Sequence, residues 1–249
     1  MEERRLVLLI SKENSYLAEV SSGKLNTKDG IFDLSLLKQK NYGDRIKTHL
    51  GKEFTIVKPN ITDILERKVK RMPQVMLPKD IALIIAYTGI SPGSLVIDAG
   101  TGSGFAAIFI ANYIKPGKVI TYEKNKKFAK IAKENIKASG LSEFIKLKEK
   151  DISRGIEEKN VDLVNLDLKD AEKVVEHAYN ALKPGGWLVV YSPYIEQVSS
   201  VVRKIEEKNF SNLKIVENVV REWQVEKYTR PKSFGLMHTG FLTFARKIY

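Results

Sequence analysis

The chain has 249 residues, of which 42 are Lys or Arg and 30 are Asp or Glu, and its net charge is +12. A chain of this length can bury enough apolar surface to fold without a disulfide or a structural metal. It contains no cysteine, which excludes disulfide frameworks, thiolate zinc sites and cysteine nucleophiles and suits a reducing cytosol. The apolar run Leu6–Ile10 is too short for a signal peptide or a membrane span, so we expect a soluble, cytoplasmic protein.

The positive charge favours a polyanionic partner such as nucleic acid. A lysine-rich surface of a thermophilic protein would produce the same balance, so charge alone supports both interpretations equally. No block of the sequence is uniformly basic, which indicates a folded basic surface and not a disordered arm.

The first 60 residues carry short β-like runs separated by turn signals rich in Gly, Ser and Asp. The runs are Leu6–Ile10, Tyr16–Val20 and Phe54–Val57. Short strands at this spacing are typical of a small, mostly antiparallel β-structure. Residues 61–71 then follow with a helical pattern. We therefore predict a small, mostly β N-terminal domain with a helical connector over residues 1–71.

From residue 72 onward, strand and helix patterns alternate. Apolar runs predict strands at Ser94–Asp98, Lys118–Glu123, Phe144–Lys148, Val161–Leu166, Trp187–Tyr191, Leu213–Val220 and Gly240–Phe244. Helical periodicity is present in Lys124–Ser139, Asp170–Leu182 and Ile195–Lys208. This alternation predicts an α/β fold, with a doubly wound, mostly parallel seven-stranded sheet forming a second domain over residues 72–249.

The most informative segment begins where the first of these strands ends in Asp98. A glycine stands at every second position of the loop that follows, which comprises Gly100, Thr101, Gly102, Ser103 and Gly104. Glycines there allow the backbone to approach a ligand and to aim N–H groups at an anion. A dinucleotide site would require a third glycine where the chain has Phe105. The spacing resembles the first motif of class I S-adenosylmethionine methyltransferases, whose ligand would present its carboxylate to the loop and its ammonium to Asp98.

Two further acids follow the next two strands. Glu123 ends the second strand, where a carboxylate can accept from both ribose hydroxyls. Asp151 lies just past the third strand, where it can accept from an adenine amino group. Either acid alone is more simply a solvated strand-end residue. Three acids at successive strand ends behind a glycine loop favour a binding site for S-adenosylmethionine.

Asp167 follows the fourth strand, whose end should face the transferable methyl group, so we predict that it carries the chemistry and borders the cofactor. With this acid, the region from Met72 to Ile248 resembles the tRNA adenine-58 N1-methyltransferases, particularly the archaeal type that also acts at position 57. The matching motifs include Pro78-Lys-Asp80, Tyr122-Glu123, Gly155–Asp162, Leu166-Asp-Leu168, Val175-Glu-His177, Leu182–Gly186, Arg230-Pro231 and His238-Thr-Gly240. Residues 46–59 resemble the small N-terminal domain of this family, so the resemblance covers nearly the whole chain.

The resemblance implies methylation at N1 of an adenine in the tRNA T-loop, with tRNA as the partner and a homotetramer as the assembly. It adds Gln74 to the cofactor site and Tyr191 and His238 to the substrate side, with His238 expected to be structural. Adenine N1 already has an in-plane lone pair. Asp167 would therefore orient the base by accepting from its amino group and would stabilise the developing positive charge.

The chain departs from the family pattern at two positions. Lys169 stands where the family usually has a proline, which affects the rigidity of the loop after Asp167. Leu77 stands where a tyrosine is common, which removes a stacking or hydrogen-bonding group near the target base.

A T-loop base must leave its stack to enter a pocket, and aromatic or arginine planes commonly hold such RNA bases. Trp223, Tyr228 and Arg230 are candidates for this role, although ordinary loop packing explains Trp223 equally well. Basic residues of the N-terminal region and its connector could contact RNA phosphates. They are Lys47, His49, Lys52, Arg67, Lys68, Lys70 and Arg71.

The three histidines lack metal-ligand spacing and no cysteine completes a site, so we expect no metal. The residues leave two alternatives open: a methyltransferase acting on a protein or small molecule, and a non-catalytic RNA-binding protein with this fold. The Lys- and Glu-rich composition favours a thermophilic archaeal source.

Overall fold

The computed structural model describes residues 5–72, 75–233 and 237–249. The chain divides into two compact units between Val69 and Lys70. Among the described residues, no helix is long and apolar enough to cross a membrane.

The first unit is built from six short strands and one helix. They are β1 (Leu6–Ile10), β2 (Ser15–Glu19), β3 (Lys24–Thr27), β4 (Gly30–Asp33), β5 (Arg45–Lys47), β6 (Glu53–Val57) and α1 (Ile61–Arg67), with a 3-10 helix at Leu34–Gln39. An antiparallel sheet has the order β2-β1-β6-β5, and β3 and β4 form a separate hairpin. Phe32 packs edge-on against Phe54 in the core, with ring centroids 5.0 Å apart. The predicted antiparallel β-structure is confirmed, although the sequence patterns missed β3, β4 and β5.

In the residues that the structure describes, the second unit contains five α-helices that alternate with strands, followed by a strand-rich tail. Its elements are α2 (Pro78–Thr88), β7 (Leu95–Ala99), α3 (Phe105–Ile114), β8 (Lys118–Tyr122), α4 (Lys126–Ser139), β9 (Ile145–Lys148), β10 (Val161–Leu166), α5 (Val175–Ala181), β11 (Leu182–Ser192), α6 (Ile195–Glu206), β12 (Phe210–Glu217), β13 (Trp223–Gln224), β14 (Arg230–Pro231) and β15 (Phe241–Lys247). Short 3-10 helices lie at Ile152–Arg154 and Ala171–Val174.

The main sheet of this unit has the order β12-β15-β11-β10-β7-β8-β9. Strands β7 to β11 pair in parallel, whereas β15 runs antiparallel to both β11 and β12. The predicted doubly wound, mostly parallel seven-stranded sheet is therefore confirmed. The chain proceeds from β7 outward to β9 and then returns to β10 on the other side of β7. In open α/β sheets, ligands bind at the carboxyl ends of the strands at such a reversal.

Two local predictions differ from the structure. The helix predicted over Asp170–Leu182 is divided into a 3-10 turn and α5, and its apolar residues are nevertheless buried. The strand predicted at Trp187–Tyr191 begins earlier, at Leu182, because Val161 of β10 already pairs with Leu182. The register shifts before the next pair, Leu163 with Trp187, so the Lys-Pro-Gly-Gly turn signal forms an irregularity within the strand.

Candidate cofactor and substrate site

The glycine loop lies directly on the end of the neighbouring strand β10. Gly100 has φ +85°, and a Cβ atom there would lie 2.0 Å from the backbone oxygen of Asp167. The Asp167 amide in turn donates to the Ala99 carbonyl at 2.9 Å. Only glycine fits this backbone and this approach. The loop predicted to bind the cofactor and the acid predicted to carry the chemistry are thus in contact through their backbones.

Asp98 is buried between three strand ends. It pairs in register with Thr121 on β8 and with Asn165 on β10. Its carboxylate accepts from the Thr121 hydroxyl at 2.6 Å and from the Asn165 amide at 2.8 Å. Burial raises the pKa of Asp98. Its visible role is to hold the strand ends together, and the expected contact with a ligand ammonium stays a prediction.

Thr121 extends this arrangement to the loop, because its hydroxyl is 2.6 Å from the Thr101 hydroxyl. Sequence reasoning missed Thr121 and Asn165. Asn165 did carry a signal, since it is a polar residue inside an otherwise apolar, parallel strand.

Glu123 lies beside the same loop. Its two carboxylate oxygens accept from the Gly102 amide at 3.0 Å and from the Asn125 amide at 2.8 Å. Asn125 caps α4, so the acid is fixed between the glycine loop and the start of the next helix. The residue is only 7% exposed, and its expected contact with the ribose hydroxyls stays a prediction.

Asp151 borders an open cavity of about 740 Å³. The cavity is lined by Lys124, Glu149, Lys150, Asp151, Arg154, Gly155, Ile156 and Glu157. Asp151 accepts from the amide and the hydroxyl of Ser153, at 3.0 and 2.8 Å, and these hydrogen bonds lower its pKa. The acid is therefore an ionised acceptor beside a space large enough for a nucleobase.

The loop and the acids fit S-adenosylmethionine on independent grounds. The hydroxyl of Ser103 is buried and has no hydrogen-bond partner among the described residues, as expected where a ligand supplies one. Gly100, Gly102 and Gly104 carry no side chain that would obstruct a ligand beside the loop. Gln74, the remaining predicted cofactor residue, lies outside the described residues.

Asp167 differs from the other three acids in the hydrogen bonds that reach its carboxylate. Among the described residues, none donates a hydrogen bond to its carboxylate. Burial, with a smaller contribution from the charge of Asp98, raises the pKa of Asp167 to about 7. The carboxylate is therefore free to accept from a substrate, and its charge is costly until a partner arrives.

Tyr191 lies near the carboxyl end of β11. This strand runs parallel to β10, so Tyr191 and Asp167 lie at the same edge of the sheet. Its hydroxyl donates to the Thr239 carbonyl, and burial together with the charges of Asp80 and Asp167 raises its pKa to about 12. A Cβ atom at position 240 would lie 2.5 Å from the Tyr191 ring, so Gly240 must be glycine for the ring to occupy this place. Tyr191 is a neutral phenol at any physiological pH.

His238 connects three segments around this region. Its Nδ1 is 2.6 Å from a Glu217 carboxylate oxygen and its Nε2 is 3.0 Å from the Pro193 carbonyl. The hydrogen bond to Pro193 is the largest of the contributions that raise the pKa of His238. These contacts agree with the expectation that His238 holds the final strands.

The aromatic candidates for RNA lie on a short hairpin. Trp223 on β13 is opposite Pro231 on β14, and Arg230 is opposite Gln224. Trp223 is 54% exposed and Tyr228 is 75% exposed, so core packing does not explain either ring. No hydrogen bond joins Trp223, Tyr228 or Arg230 to Asp167 in the described parts of the chain.

The basic residues predicted to contact phosphates already have partners within their own units. Carboxylates lie within 4.0 Å of Lys47, Lys52, Arg67, Lys68 and Lys70. The Nδ1 of His49 accepts from the Ile31 amide, and Arg71 lies over the Phe105 ring. These contacts favour the simpler interpretation of structural surface charges. In the described ranges, no group of three or more His, Asp or Glu could hold a metal ion.

The structure also describes Leu77 and Lys169, the two positions at which the chain departs from the family pattern. Leu77 immediately precedes Pro78, the first residue of α2. Lys169 is exposed and its carbonyl accepts from the Gln197 amide at 3.2 Å, which holds the loop after Asp167 without a proline.

Comparison with known proteins identifies the family. The family described as tRNA methyltransferase complex GCD14 subunit matches residues 62–234. The tRNA (adenine(57)-N(1)/adenine(58)-N(1))-methyltransferase TrmI of Methanocaldococcus jannaschii is 37% identical, over 96% of this chain and 94% of its own. The tRNA (adenine(58)-N(1))-methyltransferase TrmI of Thermus thermophilus is 32% identical, over 97% and 96% respectively.

A solved S-adenosylmethionine-dependent O-methyltransferase from Thermotoga maritima superposes with a TM-score of 0.87 at 33% identity, over 100% of this chain and 95% of that one. The tRNA (m1A58) methyltransferase TrmI of Aquifex aeolicus shares the fold, with a TM-score of 0.81 at 24% identity over 100% and 99%. The resemblance seen in the sequence motifs is confirmed by these matches. The chain belongs to the tRNA methyltransferase complex GCD14 subunit family.

Proposed function

We propose that the protein is an enzyme that transfers a methyl group from S-adenosylmethionine to N1 of adenine 58 in the T-loop of tRNA, with adenine 57 as a second target. The names of the M. jannaschii and T. thermophilus relatives support adenine N1 as the acceptor, and the former supports both positions. The single observation that carries the proposal is Asp167, whose partly buried carboxylate accepts from no described residue and whose backbone oxygen lies against Gly100 of the loop.

Asp167 accepts from the C6 amino group of the target adenine. N1 needs no base to become nucleophilic, so the carboxylate acts by orientation and by charge. As the base becomes cationic, the attraction between its amino group and the carboxylate strengthens in a site with few competing water molecules. Most of the rate comes from holding N1 in line with the methyl group.

When bound, S-adenosylmethionine supplies an electrophilic methyl group on a sulfonium. The loop from Gly100 to Gly104 receives its carboxylate, Glu123 accepts from the ribose hydroxyls and Asp151 accepts from the adenine amino group. Asp98 braces the strand ends beneath the loop.

The RNA side uses the hairpin and the end of β11. Tyr191 lies beside Asp167, whereas Trp223, Tyr228 and Arg230 offer exposed planes on which unstacked bases of the loop can rest. The net charge of +12 favours association with tRNA at low salt.

The proposed assembly is a homotetramer acting in the cytoplasm of an archaeon. Strand β12 forms an edge of the main sheet and exposes Leu213 by 40% and Ile215 by 47%. An apolar, unpaired edge supports pairing with a second copy. Light scattering coupled to size exclusion tests the assembly directly: a mass of four chains supports it, and a stable monomer contradicts it.

The function is tested by methyl transfer from labelled S-adenosylmethionine to unmodified tRNA transcripts with adenine 57 or 58 replaced singly and together. We expect label on the unmodified transcript, less on each single replacement and none on the double replacement. Label that persists on the double replacement would place the target elsewhere. No label on any tRNA would contradict the proposed function.

A further inference from the structure

A closed set of hydrogen bonds lies beside Tyr191 and has no role in the chemistry described so far. Lys79 and Asp80 stand in the first turn of α2, Asn218 follows β12, and Thr239 precedes β15. All of them belong to the second unit. Three segments that are far apart in the chain thus meet at one point.

The Lys79 ammonium makes three hydrogen bonds, which is all that it can donate. It donates to a carboxylate oxygen of Asp80 at 2.9 Å, to the Thr239 hydroxyl at 2.7 Å and to the Asn218 carbonyl. The Thr239 hydroxyl donates to the other Asp80 oxygen at 2.8 Å. The Asn218 amide donates back to the Lys79 carbonyl at 2.8 Å. The Lys79 ammonium, the Asp80 carboxylate and the Thr239 hydroxyl therefore all have their partners within the set.

This set is buried. Asp80 is 1% exposed and the Lys79 side chain is 16% exposed. Removing two charges from water costs about as much free energy as their attraction returns, so a buried ion pair is a poor source of stability. An ion pair whose polar groups are all hydrogen-bonded does hold its chain segments in a single arrangement. Residues that position a functional group need this property.

The arrangement that it holds includes Tyr191. The carbonyl of Thr239 accepts from the Tyr191 hydroxyl, and the adjacent Gly240 allows the ring to lie against the backbone. The charges of Asp80 and Asp167 both act on this phenol. At the other end of the set, Asn218 begins the segment that leads to the hairpin with Trp223.

We propose that Lys79, Asp80 and Thr239 are positioning residues: Thr239 fixes the Tyr191 hydroxyl beside Asp167, and Lys79 and Asn218 fix the start of the RNA-facing hairpin to the same point. This inference rests on the proposed function. The same group of hydrogen bonds holds the segment at Thr239, next to Tyr191, and the segment at Asn218, which leads to the hairpin. Substitutions at Thr239 and at Asn218 should therefore affect different kinetic constants. Loss at Thr239 acts on the chemical step, and loss at Asn218 acts on tRNA binding.

The test measures kcat, KM for tRNA and calorimetric S-adenosylmethionine binding. We expect Thr239→Val to lower kcat ~10- to 100-fold with cofactor binding unchanged, because small misplacements in a site cost rates of this order. Thr239→Ser, which keeps the hydroxyl, restores kcat to within ~3-fold of the original protein. Asn218→Ala raises KM for tRNA by ~10-fold with little change in kcat, in keeping with the loss of the one hydrogen bond that its side-chain amide donates to the Lys79 carbonyl.

Two comparisons separate positioning from mere stability. Thr243→Val is the matched control, since Thr243 is buried on β15 and its hydroxyl has no partner in the described residues, so kcat stays unchanged. The double variant Thr239→Val with Tyr191→Phe is no slower than Tyr191→Phe alone if Thr239 acts through Tyr191.

The outcomes also distinguish this inference from the proposed function. A native chain that labels no tRNA contradicts the function itself. A native chain that labels tRNA, with Thr239→Val as active as Thr243→Val, overturns the positioning role alone. Additive losses in the double variant overturn it as well.

Discussion

The two halves of the site differ in how their functional groups are held. On the cofactor half, formed by β7, β8 and β9, each acid meets a donor close in the chain or on the adjacent strand: Glu123 meets the Asn125 amide and Asp151 meets Ser153. The acceptor half consists of Asp167, Tyr191 and the hydrogen-bonded set around Lys79. There, the Tyr191 hydroxyl donates to a carbonyl 48 residues away in the chain, and the Lys79 ammonium donates to one 139 residues away.

The two halves also differ in the direction in which the pKa of a carboxyl group is shifted. Hydrogen bonds from Ser153 lower the pKa of Asp151, whereas burial without a protein donor raises the pKa of Asp167 to about 7. Asp151 of the cofactor half is thus ready to bind in its charged form, whereas burial raises the pKa of Asp98 beneath the loop. On the acceptor half, no described residue donates to the Asp167 carboxylate, and under the proposed function a substrate donor would stabilise its charge and link catalysis to correct docking.

The largest effect that tests this contrast is expected for Asp167→Asn. The amide keeps the shape but loses the charge, so the methyl-transfer rate at saturating substrates should fall about 1,000-fold. S-adenosylmethionine binding should change by less than ~3-fold. Asp151→Asn is the matched control, and it should weaken cofactor binding while leaving the saturated rate nearly intact. Equal rate losses in both variants would show that the halves are not functionally separate.

The contact between the halves is tested by Gly100→Ala. An added Cβ lies 2.0 Å from the Asp167 carbonyl oxygen, so the loop must move, and overpacking of this kind costs about 1–3 kcal/mol. We expect calorimetric cofactor binding to weaken at least ~10-fold and the thermal midpoint to fall. Gly102→Ala is the control, since its added Cβ meets nothing nearer than 3.7 Å. Similar losses in both variants would mean that backbone conformation, and not the contact with Asp167, is responsible.

The opposite pKa shifts predict opposite responses to pH. Because the folded chain holds a proton on Asp167 up to about pH 7, kcat/KM should rise about tenfold per pH unit toward a plateau above this value. For the same reason this group stabilises the fold as pH falls from 7 toward 4. Asp151, whose pKa is lowered, contributes stability at neutral pH and loses it as pH falls below 4. A pH–rate profile unchanged by Asp167→Asn would contradict this assignment.

The smallest effect is expected for His238→Gln. The raised pKa of His238 means that its imidazolium bonds Glu217 and Pro193 at low pH and loses part of this stabilisation as pH rises through its folded pKa. The residue is exposed, so the thermal midpoint should fall by at most ~3 °C at pH 6 and by less at pH 8. Differential scanning calorimetry at the two pH values checks this, and a larger deficit at pH 8 would refute the imidazolium interpretation.

Much of the cofactor half was predictable from the sequence. The glycine spacing after Asp98 and the acids Glu123 and Asp151 lie next to apolar runs that define their strands. The hairpin of β13 and β14 was harder to predict from the sequence, because each strand has only two residues and carries no periodic pattern. The short strands β3 to β5 were missed for the same reason.

The sequence by itself therefore determined the α/β alternation, the glycine loop and the edge of the sheet at which the acids meet. Strand and helix periods are local, and parallel strands bring their carboxyl ends to one edge. Only the tertiary structure decided that Asn165 and Thr121 donate to Asp98, that no described residue donates to the Asp167 carboxylate, and that Lys79 reaches Thr239 across 160 residues. Such contacts depend on how whole elements pack, which no local pattern specifies.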